Sequence, residues 1–447
     1  MRNLFRATAA SVATALLVTA VAPAAFADPT TDETSAGTVT LEDLGLANGG
    51  SGLDDPFYQP PADLPAAGQL IRTEPAQHLL ELTGLSWPGQ AEKILYSSTN
   101  EVGETVAVSG FVIEPSVSWG GGGERPTVAV APGTMGQGDQ CAPSAQENLF
   151  ASFDMESLSI GINYEILNAY AASSLGMRVV VTDYIGLGTP GVHTYVNSDD
   201  EGHALIDAAR AAIFHAGAPA DAPVGFLGYS QGGGAAAAAA ERAGGYAPDL
   251  NVTATYAGAP PANLKEVLPA IDNGLIFGAL GYALNSGLQY RPDLAALVTD
   301  YLNEDGVQFL KDSREACIGD SILTYGLTDS STLTKDGRTF SELIADVPEL
   351  SEYLEEQKLG TALPNAPIMV QTGVNDDAIP HGQSTQLARD YCAQGAQVAY
   401  QPRNIPEILP KSAIGHILPM LADLPTSFNY MYLAFTDQEL PNDCGTF

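Results

Sequence analysis

A serine bracketed by glycines stands where a buried strand must turn abruptly into a helix. The apolar run Val224-Gly225-Phe226-Leu227 enters the motif Gly228-Tyr229-Ser230-Gln231-Gly232, and the small-residue run Gly233 to Arg242 leaves it. A chain that reverses so sharply holds the serine in a strained backbone conformation, and only small neighbours avoid clashes there. The hydroxyl of Ser230 then stands exposed at a helix N-terminus, where the backbone dipoles favour developing negative charge. The alanine-rich helix that follows can lie close to a sheet. These features make Ser230 the candidate nucleophile.

The rest of the chain supplies the matching sheet. Ile94–Ser98 and Val106–Ile113 flank a polar turn and read as a hairpin. Continuous apolar runs follow at Thr127–Ala131, Arg178–Thr182, Val224–Gly228, Val252–Tyr256, Ile368–Gln371 and Val398–Gln401. Unbroken Val/Ile/Leu runs separated by helical stretches indicate strands buried on both faces of a parallel sheet. A hairpin followed by such a series is the strand order of the α/β-hydrolase fold. Between Pro260 and Glu349 the pattern is helical only: Leu275, Ala279, Tyr282 and Ala283 share one helical face, and Leu294, Leu297, Val298 and Tyr301 another. This segment is expected to be a cap inserted into the core. The expected division is residues 1–27 as export signal, 28–55 as a flexible lead, 56–260 as first part of the core, 261–349 as cap or lid, and 350–447 as second part of the core.

A serine hydroxyl needs a base, and in this fold the partners follow in the order Ser, acid, His. Only His381 and His416 lie beyond the helical segment. The acid is expected in the loop after Ile368–Gln371, where Asp376 fits the pattern D-x-x-[VI]-P and Asp377 is the alternative. His416 follows the last strand, so it is the expected base, whereas His381 is expected to start the next helix or line the mouth of the site. His78, His193, His203 and His215 precede the serine and are expected to be surface or packed residues. An oxyanion requires two donors. The first is expected to be the N–H of Gln231, the second Thr134 or Met135 in the loop Ala131-Pro132-Gly133-Thr134-Met135-Gly136.

The N-terminus carries Arg2 and Arg6, an alanine-rich apolar stretch and Ala25-Phe26-Ala27, the signature of a cleaved secretory signal. With 18 basic against 53 acidic residues, the field repels nucleic acid and anionic membranes. Cys141, Cys317, Cys392 and Cys444 suit two disulfides in an exported protein, with three pairings open. They form no CxxC pair, which argues against zinc, and no cofactor or metal is expected. Gly186-Leu187-Gly188-Thr189-Pro190-Gly191 imitates a dinucleotide-binding loop, but Pro190 interrupts the helix start such a loop needs. Asn197-Ser198-Asp199-Asp200-Glu201 lacks calcium-loop spacing and is expected to be a solvated loop.

Asp55-Pro56-Phe57-Tyr58-Gln59-Pro60, Cys141-Ala142-Pro143-Ser144, Asp183-Tyr184-Ile185-Gly186-Leu187-Gly188 and Gly228-Tyr229-Ser230-Gln231-Gly232-Gly233, in this order, resemble the secretory lipase family, the lipase A type of yeasts and actinomycetes. The resemblance implies a helical lid, the pairing Cys141–Cys317 and Cys392–Cys444, and hydrolysis of triacylglycerols and simpler esters. Gly133-Thr134-Met135-Gly136 replaces an acidic segment of the yeast members. The expectation is therefore a secreted, monomeric serine ester hydrolase, a lipase or carboxylesterase, acting on lipid or ester substrates with transient lipid-interface contact through the cap. The same triad would also serve an envelope acyltransferase or a peptidase, and a binding protein could keep the fold without the chemistry.

Overall fold

The six runs expected as buried strands all form strands of one sheet, each starting where the apolar run starts. The computed structural model describes residues 40–46, 49–154 and 159–447; the expected signal and the first part of the lead lie outside them. The strands are β1 (Leu70–Ala76), β2 (Gly89–Thr99), β3 (Thr105–Pro115), β4 (Thr127–Ala131), β5 (Ala151–Asp154), β6 (Ser159–Ile162), β7 (Arg178–Thr182), β8 (Val224–Tyr229), β9 (Val252–Gly258), β10 (Ile368–Gly373) and β11 (Val398–Arg403). Nine of them form one sheet in the order β1-β2-β3-β7-β4-β8-β9-β10-β11, while β5 and β6 pair separately. From β7 to β11 the pairings are parallel; β1, β2 and β3 form an antiparallel meander whose last strand runs antiparallel to β7.

Side chains of β8 alternate between the two faces of this sheet. Val224 and Phe226 pack on α2 (Ser198–His215) and α3 (Gln231–Tyr246). Leu227 faces α1 (Ile166–Ser174) and α12 (Ile414–Phe435). Ala235 to Ala240 of α3 are all buried, so their small side chains let the helix approach the strands. α11 (His381–Ala393) covers β10 and β11 beside α3.

No strand interrupts the chain between β9 and β10. That insertion comprises α4 (Leu264–Ile271), α5 (Ala279–Tyr290), α6 (Ala295–Tyr301), α7 (Glu304–Glu315), α8 (Ile318–Tyr325), α9 (Phe340–Asp346) and α10 (Pro348–Glu356). α10 carries the helical series past residue 349, because Val347-Pro348 only separates two helices. Cys141–Cys317 and Cys392–Cys444 are the disulfides present. The first ties the core to the start of α8.

Two expectations are corrected. The described part of the lead is not loose: Leu44 and Leu46 are buried against the insertion, Gly191 N donates to Gly50 O at 2.9 Å, and Leu53 N to Gly188 O at 3.0 Å. Two leucines two residues apart suffice to dock a polar segment. The stretch from Asn197 to Glu201 is not a solvated loop either. Asn197 caps α2, accepting the Asp200 N–H at 3.0 Å, and Asp200 and Glu201 are buried.

Candidate active site

Ser230 and Asp376 follow directly on the carboxyl ends of β8 and β10, and His416 opens the helix after β11, so the topology brings all three to one edge of the sheet. Ser230 sits between β8 and α3 with φ 61° and ψ −126°, outside the regions a non-glycine residue favours. The glycines beside it are forced. A Cβ on Gly228 would lie 2.0 Å from the carbonyl oxygen of Gly232, and one on Gly232 would lie 2.0 Å from that of Ala131. The turn is held from both sides, as Ser230 N donates to Gly258 O at 2.9 Å and Gly234 N to Ser230 O at 3.0 Å.

Asp376 follows β10. Its side chain is fully buried and its Oδ2 accepts from His416 Nδ1 at 2.8 Å. Its Oδ1 accepts the N–H groups of Ala378 and Ile379 at 2.9 and 2.8 Å, which fixes the carboxylate against rotation. His416 lies in the first turn of α12. Tyr229, the residue before the serine, donates its hydroxyl to the His416 carbonyl at 2.7 Å, with the two rings 5.1 Å apart. The backbone that carries the imidazole is thereby anchored to the serine turn.

Asp377 has a different task. Its Oδ2 accepts the N–H groups of Ser412 and Ala413, both at 2.9 Å, and so holds the loop that delivers His416. His381 begins α11, with Nδ1 3.2 Å from Thr372 Oγ1.

The loop after β4 is tied residue by residue. Tyr184 donates its hydroxyl to Pro132 O at 2.7 Å, and Gly133 N donates to Glu165 Oε1 at 3.1 Å. Thr134 Oγ1 and Tyr195 Oη are 2.8 Å apart, and Ile318 N of α8 donates to Met135 O at 2.8 Å. Thr134 lines the same cavity as Ser230 and Gln231, whereas the Met135 side chain packs among Cys141 and Cys317.

Sequence reasoning missed a network behind the turn. Gln231 Nε2 donates to Glu201 Oε1 at 2.7 Å and lies 3.0 Å from His193 Nε2. With His193 Nδ1 donating to Ile185 O at 3.3 Å, Nε2 is left to accept, so both Gln231 amide hydrogens are used. Burial keeps His193 neutral, lowering it to about 4, and pushes Glu201 up to about 8. Burial likewise raises Glu165 to about 7. Of these residues only Gln231 stands in a motif; His193 and Glu165 carry no signature, and Glu201 ends an acidic stretch that reads as solvated.

Ser230, Thr134 and Gln231 open onto a cavity with about 1290 Å³ of space unfilled by atoms, its open mouth included. Apart from those three, Tyr195, Val196 and Ile379, every lining residue belongs to the insertion. Leu264, Val267, Leu268 and Ile271 of α4 contribute one wall, and Leu297, Val298 and Tyr301 of α6 another. The lining is overwhelmingly apolar.

Fold and site together define an α/β-hydrolase with a serine at the strand-to-helix turn after β8. The structure of Candida antarctica lipase A in its closed state superposes with a TM-score of 0.74 at 22% identity, covering 88% of each chain. The rice cell wall degrading esterase LipA of Xanthomonas oryzae gives 0.64 at 20% identity, over 82% of this chain and 98% of that one. The secretory lipase family model matches residues 151–442, and the chain belongs to that family. Among its relatives, a protein of Mycobacterium tuberculosis named a probable inactive lipase is 30% identical, over 78% of this chain and 76% of its own length. Lipase A of Moesziomyces aphidis is 26% identical, over 84% and 80%. A secreted triacylglycerol lipase of Malassezia globosa is 28% identical, over 68% and 63%.

Proposed function

We propose that the protein is an exported lipase or carboxylesterase that cleaves esters of long-chain acids through an acyl-enzyme on Ser230. The observation that carries this reading is the Asp376–His416 pair held beside the Ser230 turn, with Ser230 itself lining an apolar cavity made by the insertion. His416 takes the proton from Ser230 as the oxygen attacks the ester carbonyl; Asp376 holds the ring in the required tautomer and stabilises the imidazolium. The N–H of Gln231, at the start of α3, and Thr134 receive the oxyanion. The imidazolium returns its proton to the leaving alkoxide, and water then releases the acid by the same steps. The acyl chain lies in the cavity, where each methylene removed from water contributes about 0.8 kcal/mol. Residues 261–356 serve as the cap, contacting lipid transiently, and the protein works as a monomer. Among the described residues no helix is long and apolar enough to cross a membrane; export rests on the N-terminal signature and on relatives named as secreted.

The test is a chain-length series of p-nitrophenyl esters on the wild type and Ser230→Ala. The expected result is kcat/KM rising up to roughly fourfold per methylene until the cavity is full, and loss of turnover in the variant. The relative named as inactive supports one competing reading, a lipid-binding protein that kept the fold. Equal, negligible turnover by both proteins, with fatty acid bound tightly by each, would favour it. An acyltransferase would instead pass acyl groups to a sugar hydroxyl faster than to water.

A further inference from the structure

The peptide unit joining Pro132 to Gly133 is clamped at both ends. Tyr184 donates its hydroxyl to the carbonyl of Pro132 at 2.7 Å. The N–H at the other end donates to Glu165 Oε1 at 3.1 Å. The next peptide unit carries the N–H of Thr134, the loop residue that faces the cavity beside Ser230 and Gln231. Gly133 is the joint between the two units. With no Cβ it would leave that joint free to turn, and a larger residue would have to displace the Tyr164 hydroxyl, since a Cβ there would lie 2.3 Å from Tyr164 Oη.

Glu165 is an unusual choice for this place. It occupies the N-cap position of α1, yet its side chain makes no cap bond to that helix's backbone. Its side chain turns to the loop instead, and Asn168 Nδ2 donates to its second oxygen at 2.5 Å. The residue is wholly buried, and burying a carboxyl is costly unless its bonds matter. We propose that Glu165 is a positioning residue for the reaction: by accepting the Gly133 N–H it fixes the plane from which Thr134 meets the oxyanion. This rests on the ester-hydrolysis reading above. A displacement of such a donor by about 1 Å is enough to cost roughly a hundredfold in rate.

Three variants, Glu165→Met, Glu165→Gln and Tyr184→Phe, test this on the full chain with a p-nitrophenyl ester, alongside inhibition by an alkylboronic acid, whose tetrahedral adduct needs the same donors. Glu165→Met is expected to lower kcat about ten- to a hundredfold with KM changed less than about threefold, and to weaken boronate inhibition by a similar factor. Glu165→Gln keeps an acceptor for Gly133 and is expected to recover kcat to within about fivefold of wild type. Tyr184→Phe releases the other end of the same peptide unit and is expected to show the same kcat-only loss. Wild-type kcat in Glu165→Met, equal losses in the Met and Gln variants, or a loss confined to KM would overturn the proposal. If Glu165→Met does not fold, a kinetically silent Tyr184→Phe overturns it instead. Failure of the reading beneath it is separately visible, because the wild type would then be no faster than Ser230→Ala.

Discussion

Replacing Asp376 by asparagine changes one oxygen to an amide nitrogen with almost no change in shape, and the structure dictates which way the new amide must face. Oδ1 of Asp376 receives two backbone N–H groups, from Ala378 and Ile379. Those donors cannot move without unfolding the turn, so the amide oxygen must stay on that side. Its NH2 then points at His416 Nδ1, where the carboxylate now accepts at 2.8 Å. Nδ1 is forced to accept, the ring proton moves to Nε2, and the nitrogen meant to receive the serine proton is blocked. The wrong tautomer costs about 10⁴-fold in kcat where it has been measured in such a triad, or roughly 5 kcal/mol in barrier. Asp377→Asn makes the control. Its oxygen can keep the N–H groups of Ser412 and Ala413, and its NH2 takes the other side, so kcat should fall less than about tenfold. Steady-state kinetics on a p-nitrophenyl ester, with circular dichroism to verify folding, separates the two. Asp376→Asn retaining more than a tenth of wild-type kcat, or Asp377→Asn being the more damaged, would mean that Asp376 does not set the His416 tautomer.

Other consequences follow from the same coordinates. Burial raises Glu201 to about 8, Glu165 to about 7, and Asp139, Asp183, Asp200 and Asp207 each to about 6. The native state therefore holds protons that the unfolded chain has released. That contribution to stability is complete below the unfolded carboxyl range and lost as pH climbs to about 8, by at most about 1.4 kcal/mol per unit for each group. His193, lowered to about 4, works in the opposite sense only below its unfolded range. The denaturant midpoint should thus fall between pH 6.5 and 8, and a midpoint rising there would contradict the burial of these acids. Replacing Cys141 and Cys317 by serine should lower stability by about 5 kcal/mol in the chain-entropy model, and replacing Cys392 and Cys444 by about 4, since the pairs are 176 and 52 residues apart; urea titration gives the order. Ala283→Phe fills part of the cavity and should cut kcat/KM for a dodecanoate ester roughly thirtyfold, the worth of two to three methylenes at about 0.8 kcal/mol each, while sparing the acetate. Equal effects on both esters would mean that the acyl chain lies elsewhere.

Much of this architecture is readable in the sequence because single physical requirements leave single marks. A strand buried on both faces is apolar along its middle, so the runs beginning at Thr127 and Arg178 coincide with β4 and β7 from end to end, their polar ends bonded as Arg178 is to Glu114. β1 escaped because Leu70–Ala76 is mixed in polarity, as suits a half-exposed edge strand. The pair Asp376-Asp377 shows a harder limit. Both carboxylates serve His416, one on its ring and the other on the backbone ahead of it, so their neighbourhoods in sequence are nearly alike and only geometry separates their bonds. Thr134 and Met135 are separated likewise, by which one faces the cavity. Glu165, Glu201 and His193 are out of reach of motif reading, since their importance arises from distant segments closing around them.

The most direct measurement is to treat the protein with a fluorophosphonate, digest it and map the adduct by mass spectrometry. One equivalent of label on Ser230, absent from the Asp376→Asn protein on the same timescale, is the result expected of an activated hydroxyl at this turn. No label, or a label carried by another serine with Ser230 untouched, would contradict it.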